Sequence, residues 1–202
     1  MIRFYTDHLH PLYSLDYTIP KGGARDNTGN NGFVDLVERT HNGKINFLDL
    51  GCAGAAIVEE MHNRGHNSFG IDGSDSQKKQ GLNSWGRIPE KLFNADITEP
   101  FHFMDEETSQ QVKFDVITAW DVMEHLYEDR LPGFCDNLKN NLKPEGYFVC
   151  GIADFEDQGY HVTLHNKEWW IDMFDKNGIA LITDSFSEIA RHTSFHLKLK
   201  IK

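Results

Sequence analysis

Basic side chains are in short supply here: 20 lysines and arginines stand against 31 acids, a formal net charge of −11. Non-specific nucleic-acid binding needs clustered Lys and Arg to displace counterions. Lys78-Lys79 is the only adjacent basic pair, so nucleic acid is not an expected partner. Lys198, Lys200 and Lys202 alternate along a final strand and read as a solvated sheet face. Cysteine is scarce too. Cys52, Cys135 and Cys150 are isolated and odd in number, which indicates neither a disulfide framework nor a zinc cluster and makes a reducing cytoplasm the expected location. Long apolar runs are missing: none approaches the roughly 20 residues that span a bilayer, so stable membrane insertion is not expected. Met1 to His10 carries charges and histidines and lacks the apolar core of a signal peptide.

What is present is an alternation of strand and helix patterns from Ile45 onward. Before it, residues 1–32 are rich in turn formers, including Pro11, Pro20, Gly22, Gly23 and Asn27, and are expected to form an arm laid over a domain at 33–202. Strands are predicted at Ile45–Leu50, Ser68–Ile71, Lys91–Asn94, Phe114–Ala119 and Tyr147–Ile152. Helices are predicted at Phe33–Thr40, Ala55–Arg64, Ser74–Leu82, Val122–Tyr127, Leu131–Leu142 and Lys167–Asn177, the last closed by Gly178. Ile179–Ser187 and Ser194–Ile201 read as two strands whose short link favours antiparallel pairing. The expected architecture is α/β, a Rossmann-like three-layer sandwich. Its seven-stranded sheet is mostly parallel and ends in an antiparallel C-terminal hairpin.

One run carries the chemistry: Asn46-Phe47-Leu48-Asp49-Leu50-Gly51-Cys52-Ala53-Gly54. A buried strand ends beside an acid and turns tightly through small residues into a helix N-terminus, which favours a nucleotide-like ligand. In open α/β sheets, ligands sit outside the carboxyl ends of the strands. Those ends gather Asp49, Asp72, Asp96-Ile97 and Trp120-Asp121 around the Gly51–Gly54 turn, a pocket for a positively charged, hydroxyl-rich nucleoside.

These pieces resemble the class I S-adenosylmethionine-dependent methyltransferases. The matching segments, in order, are Phe47–Gly54, Gly70-Ile71-Asp72-Gly73-Ser74, Ala95-Asp96-Ile97, Phe114–Leu126 and Leu142-Lys143-Pro144-Glu145-Gly146-Tyr147. The likeness extends over about residues 33 to 202 and is greatest to the small-molecule O-methyltransferases that include the quinone-biosynthesis enzymes. The resemblance implies S-adenosyl-L-methionine as cofactor and a small-molecule acceptor, with methyl transfer to oxygen. It implies that Asp49 approaches the methionine amino group while Gly51, Cys52, Ala53 and Gly54 surround the methionine part. Asp72, followed by Gly73, takes the ribose hydroxyls, since a carboxylate accepts two hydrogen bonds at once. Asp96 accepts from the adenine amino group, the Ile97 N–H meets the ring edge, and Trp120, followed by Asp121, lines the methyl side. The family usually has glycine where this chain has Ala53 and Ala55. Alanine resists positive φ, so a slightly wider or differently shaped loop is expected.

A hydroxyl acceptor needs a base, and His125 and His161 are the catalytic candidates. Each also has a plainer reading, His125 as a residue packing a helix start and His161 as a surface-loop histidine. Asp121, Glu124, His125, His161 and His165 raise the possibility of a divalent cation. Glu124 and His125 would face different sides of a helix and could not easily share one ion, whereas Asp121 and His125, at i, i+4, could; no metal ligands are assigned. Arg25-Asp26-Asn27 reads as a turn-rich surface loop or a cofactor cover, and Trp169-Trp170 with Phe174 as core. Two other functions remain: a catalytically inactive S-adenosylmethionine-binding interaction protein, and a nicotinamide-dependent oxidoreductase. The latter rests on Gly51-x-Ala53-x-x-Ala56 with Asp72 downstream.

Overall fold

The computed structural model describes residues 1–14, 31–157, 159–184 and 194–202. Arg25-Asp26-Asn27 lies outside them. In chain order the elements are β1 (Ile2–Thr6), α1 (Asn31–Thr40), β2 (Asn46–Leu50), α2 (Ala56–Asn63), β3 (Asn67–Asp72), α3 (Ser76–Gln80), β4 (Leu92–Asn94), β5 (Phe101–Asp105), β6 (Gln110–Val112), β7 (Phe114–Trp120), α4 (Leu131–Asn141), β8 (Leu142–Ile152), α5 (Lys167–Lys176), β9 (Ile179–Thr183) and β10 (Phe195–Ile201).

Seven strands form the main sheet in the order β4-β3-β2-β7-β8-β10-β9. Neighbours pair in parallel from β4 to β8, and β10 runs antiparallel to both β8 and β9. The expected mostly parallel sheet with a C-terminal hairpin is therefore present. Both faces are buried, which explains the near-continuous apolar strands. Leu48, Leu50, Ile117 and Phe148 pack toward Phe134 and Leu138 of α4 and Trp170 and Phe174 of α5. Phe47, Val116 and Val149 face the other way, onto Val34 and Val37 of α1 and Ile57, Val58 and Met61 of α2. Trp170 and Phe174 belong to the core as expected, with Trp169 packed at its edge.

Two expectations need correction. The stretch before residue 15 is not only turns, because β1 pairs antiparallel with β5, and β5 with β6, in a second sheet. Phe4 of β1 stacks on Phe93 at 4.8 Å and packs on Phe103 at 5.0 Å, tying this small sheet to the core. The predicted helix over Val122–Tyr127 is a single 3-10 turn, Met123–His125, between Val122 and extended Leu126 and Tyr127. Asp121 enters it at φ +53°, outside the helical region, so an α-helix has no regular start there.

Candidate active site

The carboxyl ends of β2, β3, β4 and β7 lie side by side and bring Asp49, the Gly51–Gly54 turn, Asp72-Gly73, Asp96-Ile97 and Trp120-Asp121 together. The parallel register sets Asp49 opposite Thr118, whose hydroxyl donates to Asp49 Oδ1 at 2.6 Å. Asp49 is buried by this arrangement.

The turn is held from within. The N–H groups of Gly51 and Cys52 both donate to the Ile71 carbonyl, at 2.8 and 3.0 Å. Ala53 N–H donates to Asp72 Oδ2 and Ser74 N–H to Asp72 Oδ1, each at 2.8 Å. Gly51 sits at φ +70°, and a Cβ there would collide with Val122. Ala53 and Ala55 adopt φ +44° and +63°, left-handed conformations natural to glycine. Alanine's resistance to positive φ is thus overridden at both positions, and the chain accepts the strain. On its far side the turn is gripped by the segment 83–87. The Trp85 indole donates to the Ala53 carbonyl at 2.7 Å, and Ser84 N–H donates to the Gly54 carbonyl at 3.1 Å. Glu59 binds the Ser84 hydroxyl at 2.7 Å and Arg87 in a fork.

Each Asp72 oxygen accepts one of these backbone donors, which fixes the plane of the carboxylate beside the turn. Asp96 is buried, and its Oδ1 accepts from Thr98 N–H at 2.9 Å and the Thr98 hydroxyl at 2.7 Å. Pro11 covers Gly73 so closely that a Cβ there would clash. Trp120, nearly buried, meets Phe33 edge-on at 5.2 Å and lies near His196.

Beyond β7 and β8, His125 and His161 meet at a ring separation of 4.8 Å. His161 is buried, which corrects its reading as a surface-loop histidine. Its Nδ1 lies 2.6 Å from the Phe155 carbonyl, which can only accept, so Nδ1 carries the proton and Nε2 is the basic nitrogen of the neutral ring. Glu124 is fully buried between them and the main sheet. Its Oε1 accepts from Ala153 N–H at 3.1 Å, and burial pushes its carboxyl up to about 7. One potential ligand atom from each of Glu124, His125 and His161 lies within 4.8 Å of the others. Adjacent residues of a 3-10 turn point apart as well, yet their side chains bring ligand atoms within 4.8 Å of each other, so Glu124 and His125 are not kept from a common site, contrary to expectation. His165 is elsewhere, bonded to Glu128 at 2.6 Å and stacked on Trp169.

A family model described as a methyltransferase domain matches residues 27–197. The chain belongs to this methyltransferase family. The resemblance read from the five segments is thereby borne out, and the dinucleotide fingerprint is set aside. A ubiquinone biosynthesis O-methyltransferase of Acinetobacter baumannii (strain AYE) is 26% identical over 132 residues, which is 64% of this chain and 52% of the relative. The chain thus spans about half the length of the curated relatives it matches. Among solved structures, a S-adenosylmethionine-dependent methyltransferase from Clostridium acetobutylicum superposes with TM-score 0.63 at 14% identity, covering 85% of this chain and 90% of the other. The glycopeptide N-methyltransferase MtfA, complexed with S-adenosylmethionine, gives 0.61 at 11% identity, covering 91% and 98%. These likenesses show a shared methyltransferase fold.

Within this methyltransferase domain, three contributors lay beyond sequence reasoning. Thr118 lies inside the matching segment Phe114–Leu126 but was given no role there, Trp85 is one more apolar residue in a polar stretch, and Tyr13 is placed by the segment that precedes the domain. Only Glu124, adjacent to His125, carried a signal.

Proposed function

We propose that this domain, acting in the cytoplasm, transfers a methyl group from S-adenosyl-L-methionine to an oxygen of a small-molecule acceptor. The observation that carries this is the row of acidic strand ends beside a tight small-residue turn, in a chain of the methyltransferase family. The residue set fits the cofactor's chemistry: Asp72 brings a carboxylate, the acceptor type that hydroxyls pair with, to the end of its strand, and buried Asp49 supplies negative charge for an ammonium group. When bound, the cofactor supplies a methyl group on a sulfonium that departs as a neutral thioether. The protein's task is to hold the acceptor oxygen in line with that methyl carbon, which by itself lowers the barrier by several kcal/mol. As the new O–CH3 bond forms, His161 Nε2 or His125 takes the hydroxyl proton. Acceptance at oxygen is supported by this histidine pair and by the name of the Acinetobacter relative. The buried reduced thiols of Cys52, Cys135 and Cys150 suit a cytoplasmic location, and the net charge of −11 suits a small molecule rather than nucleic acid. Among the described residues no helix is long and apolar enough to cross a membrane.

A second reading concerns how the hydroxyl is activated. The compact Glu124, His125 and His161 group has the donor chemistry of a divalent-cation site, which would lower the acceptor's pKa in place of a free base.

Calorimetry with S-adenosylmethionine, S-adenosylhomocysteine and NAD is the first test, followed by turnover with phenolic and aliphatic hydroxyl acceptors. Binding of the two adenosyl ligands alone, then methylation, is expected. Adenosyl binding without turnover on any acceptor class would favour an inactive binding protein. His125→Ala and His161→Ala should lower kcat by about 10²-fold or more with little change in cofactor affinity. Activity that survives exhaustive chelation would remove the cation reading.

A further inference from the structure

The segment before the domain reaches the cofactor side of the sheet. The His8 carbonyl accepts from Asp96 N–H at 2.9 Å, and a turn closed by Ser14 N–H to the Pro11 carbonyl, 2.8 Å, leaves Leu12 outside and aims Tyr13 inward. The Tyr13 hydroxyl donates to Asp96 Oδ1 at 3.0 Å and lies 2.9 Å from Thr98 Oγ1. Arg130, fixed by Glu99 at 2.9 Å, lies over the Tyr13 ring with its guanidinium carbon 4.5 Å from the centroid. Burial pushes the phenol up to about 12, so it remains a donor throughout the physiological range. Three donors therefore converge on one oxygen of Asp96: Tyr13 O–H, Thr98 N–H and Thr98 O–H. A carboxylate fixed in this way through Oδ1 presents Oδ2 in one orientation.

We propose that Tyr13 is a positioning residue of the cofactor site, holding the Asp96 carboxylate so that Oδ2 is set to accept from the adenine amino group. The proposal rests on the assignment of Asp96 to that amino group. It makes residues ahead of the sheet part of adenine selectivity, because a ligand with a carbonyl in place of the amino group cannot donate to a fixed acceptor.

The test compares S-adenosylhomocysteine with S-inosylhomocysteine by calorimetry on the full chain, in wild type, Tyr13→Phe and Thr98→Val. Wild type should prefer the adenosyl ligand at least about tenfold. Tyr13→Phe keeps the ring beneath Arg130 and loses one donor. The preference should fall roughly threefold to tenfold through weaker adenosyl binding, with inosyl affinity unchanged. Thr98→Val, which removes a second donor, should move the ratio the same way, and thermal melts verify that both variants are folded. A purely structural role would weaken both ligands together and leave the ratio alone. A wild-type preference retained in full by both variants overturns the proposal while leaving Asp96 in place. No preference in wild type overturns the Asp96 assignment itself, and the proposal with it.

Discussion

Glu124, beside the histidine pair, has a strongly perturbing environment. Burial is the largest cause of its rise to about 7, opposed by its own backbone N–H, by His125 and by the Ala153 N–H, with Asp121 adding to the rise. A carboxyl that is harder to ionise in the folded chain than at its ordinary 4.5 binds more protons folded than unfolded between those values. Its contribution to stability is complete below about 4.5 and is lost as pH rises through about 7, where the buried group must ionise. Chemical denaturation of wild type and Glu124→Gln in chelator isolates this effect, since other groups cancel in the difference. From pH 4.5 to 8 the balance should shift toward the variant by about 3 kcal/mol at most. A difference that stays flat across this range would show that Glu124 titrates normally. A divalent cation bound by the cluster would reverse the shift, because it favours the ionised form. At this scale the acidic strand ends were legible, since each acid stands at or just beyond the end of an apolar strand. The meeting of His125 with His161 was not, because it depends on how the segments after β7 and β8 come together, which no local spacing records.

Among elements, the turn at 51–55 shows how a departure from pattern is absorbed. Two alanines in left-handed conformations cost about 1–2 kcal/mol each relative to right-handed backbone. The neighbouring segment 83–87 offsets part of this through Trp85, Ser84 and the Arg87–Glu59 fork. Sequence reasoning located the alanines but not the grip, because a tryptophan in a polar stretch gives no sign of what it will touch. Trp85→Phe retains most of the buried ring and leaves the Ala53 carbonyl without its indole donor. A loss of about 1–2 kcal/mol is expected, or roughly 2–6 °C in Tm. Ala53→Gly, which adopts φ +44° without a Cβ penalty, should recover part of that loss in the double variant. Melts of the four proteins in this cycle measure the coupling; strictly additive effects would mean that Trp85 does not hold the turn. The main strands were readable because burial on both faces leaves an apolar run. β1, β5 and β6 were not, since short alternating segments far apart in sequence carry little local signal.

For the whole molecule, the question is whether the small sheet folds with the domain or merely rests on it. Phe4 links β1 to Phe93 of β4 and packs on Phe101 and Phe103 of its own sheet, while Phe103 packs on Phe69 and Phe114 in the core. This aromatic chain runs without a break from β1 to β3 and β7 of the main sheet, so the two sheets share one hydrophobic cluster. Elements that share a core are expected to unfold together. Phe4→Ala should therefore lower the stability of the entire chain by about 2 kcal/mol, less than a fully buried phenylalanine because Phe4 is only half-buried. The thermal transition should stay single and move down by about 4–8 °C. Hydrogen exchange provides the complementary reading. Protection should fall in β2, β3 and β7 as well as in β1 and β5. Loss confined to β1 and β5 with an unchanged Tm would make the small sheet an independent flap. Because β1 leads directly into the segment that places Tyr13 on Asp96, cooperative behaviour would also tie the Asp96 strand end to the core of the fold.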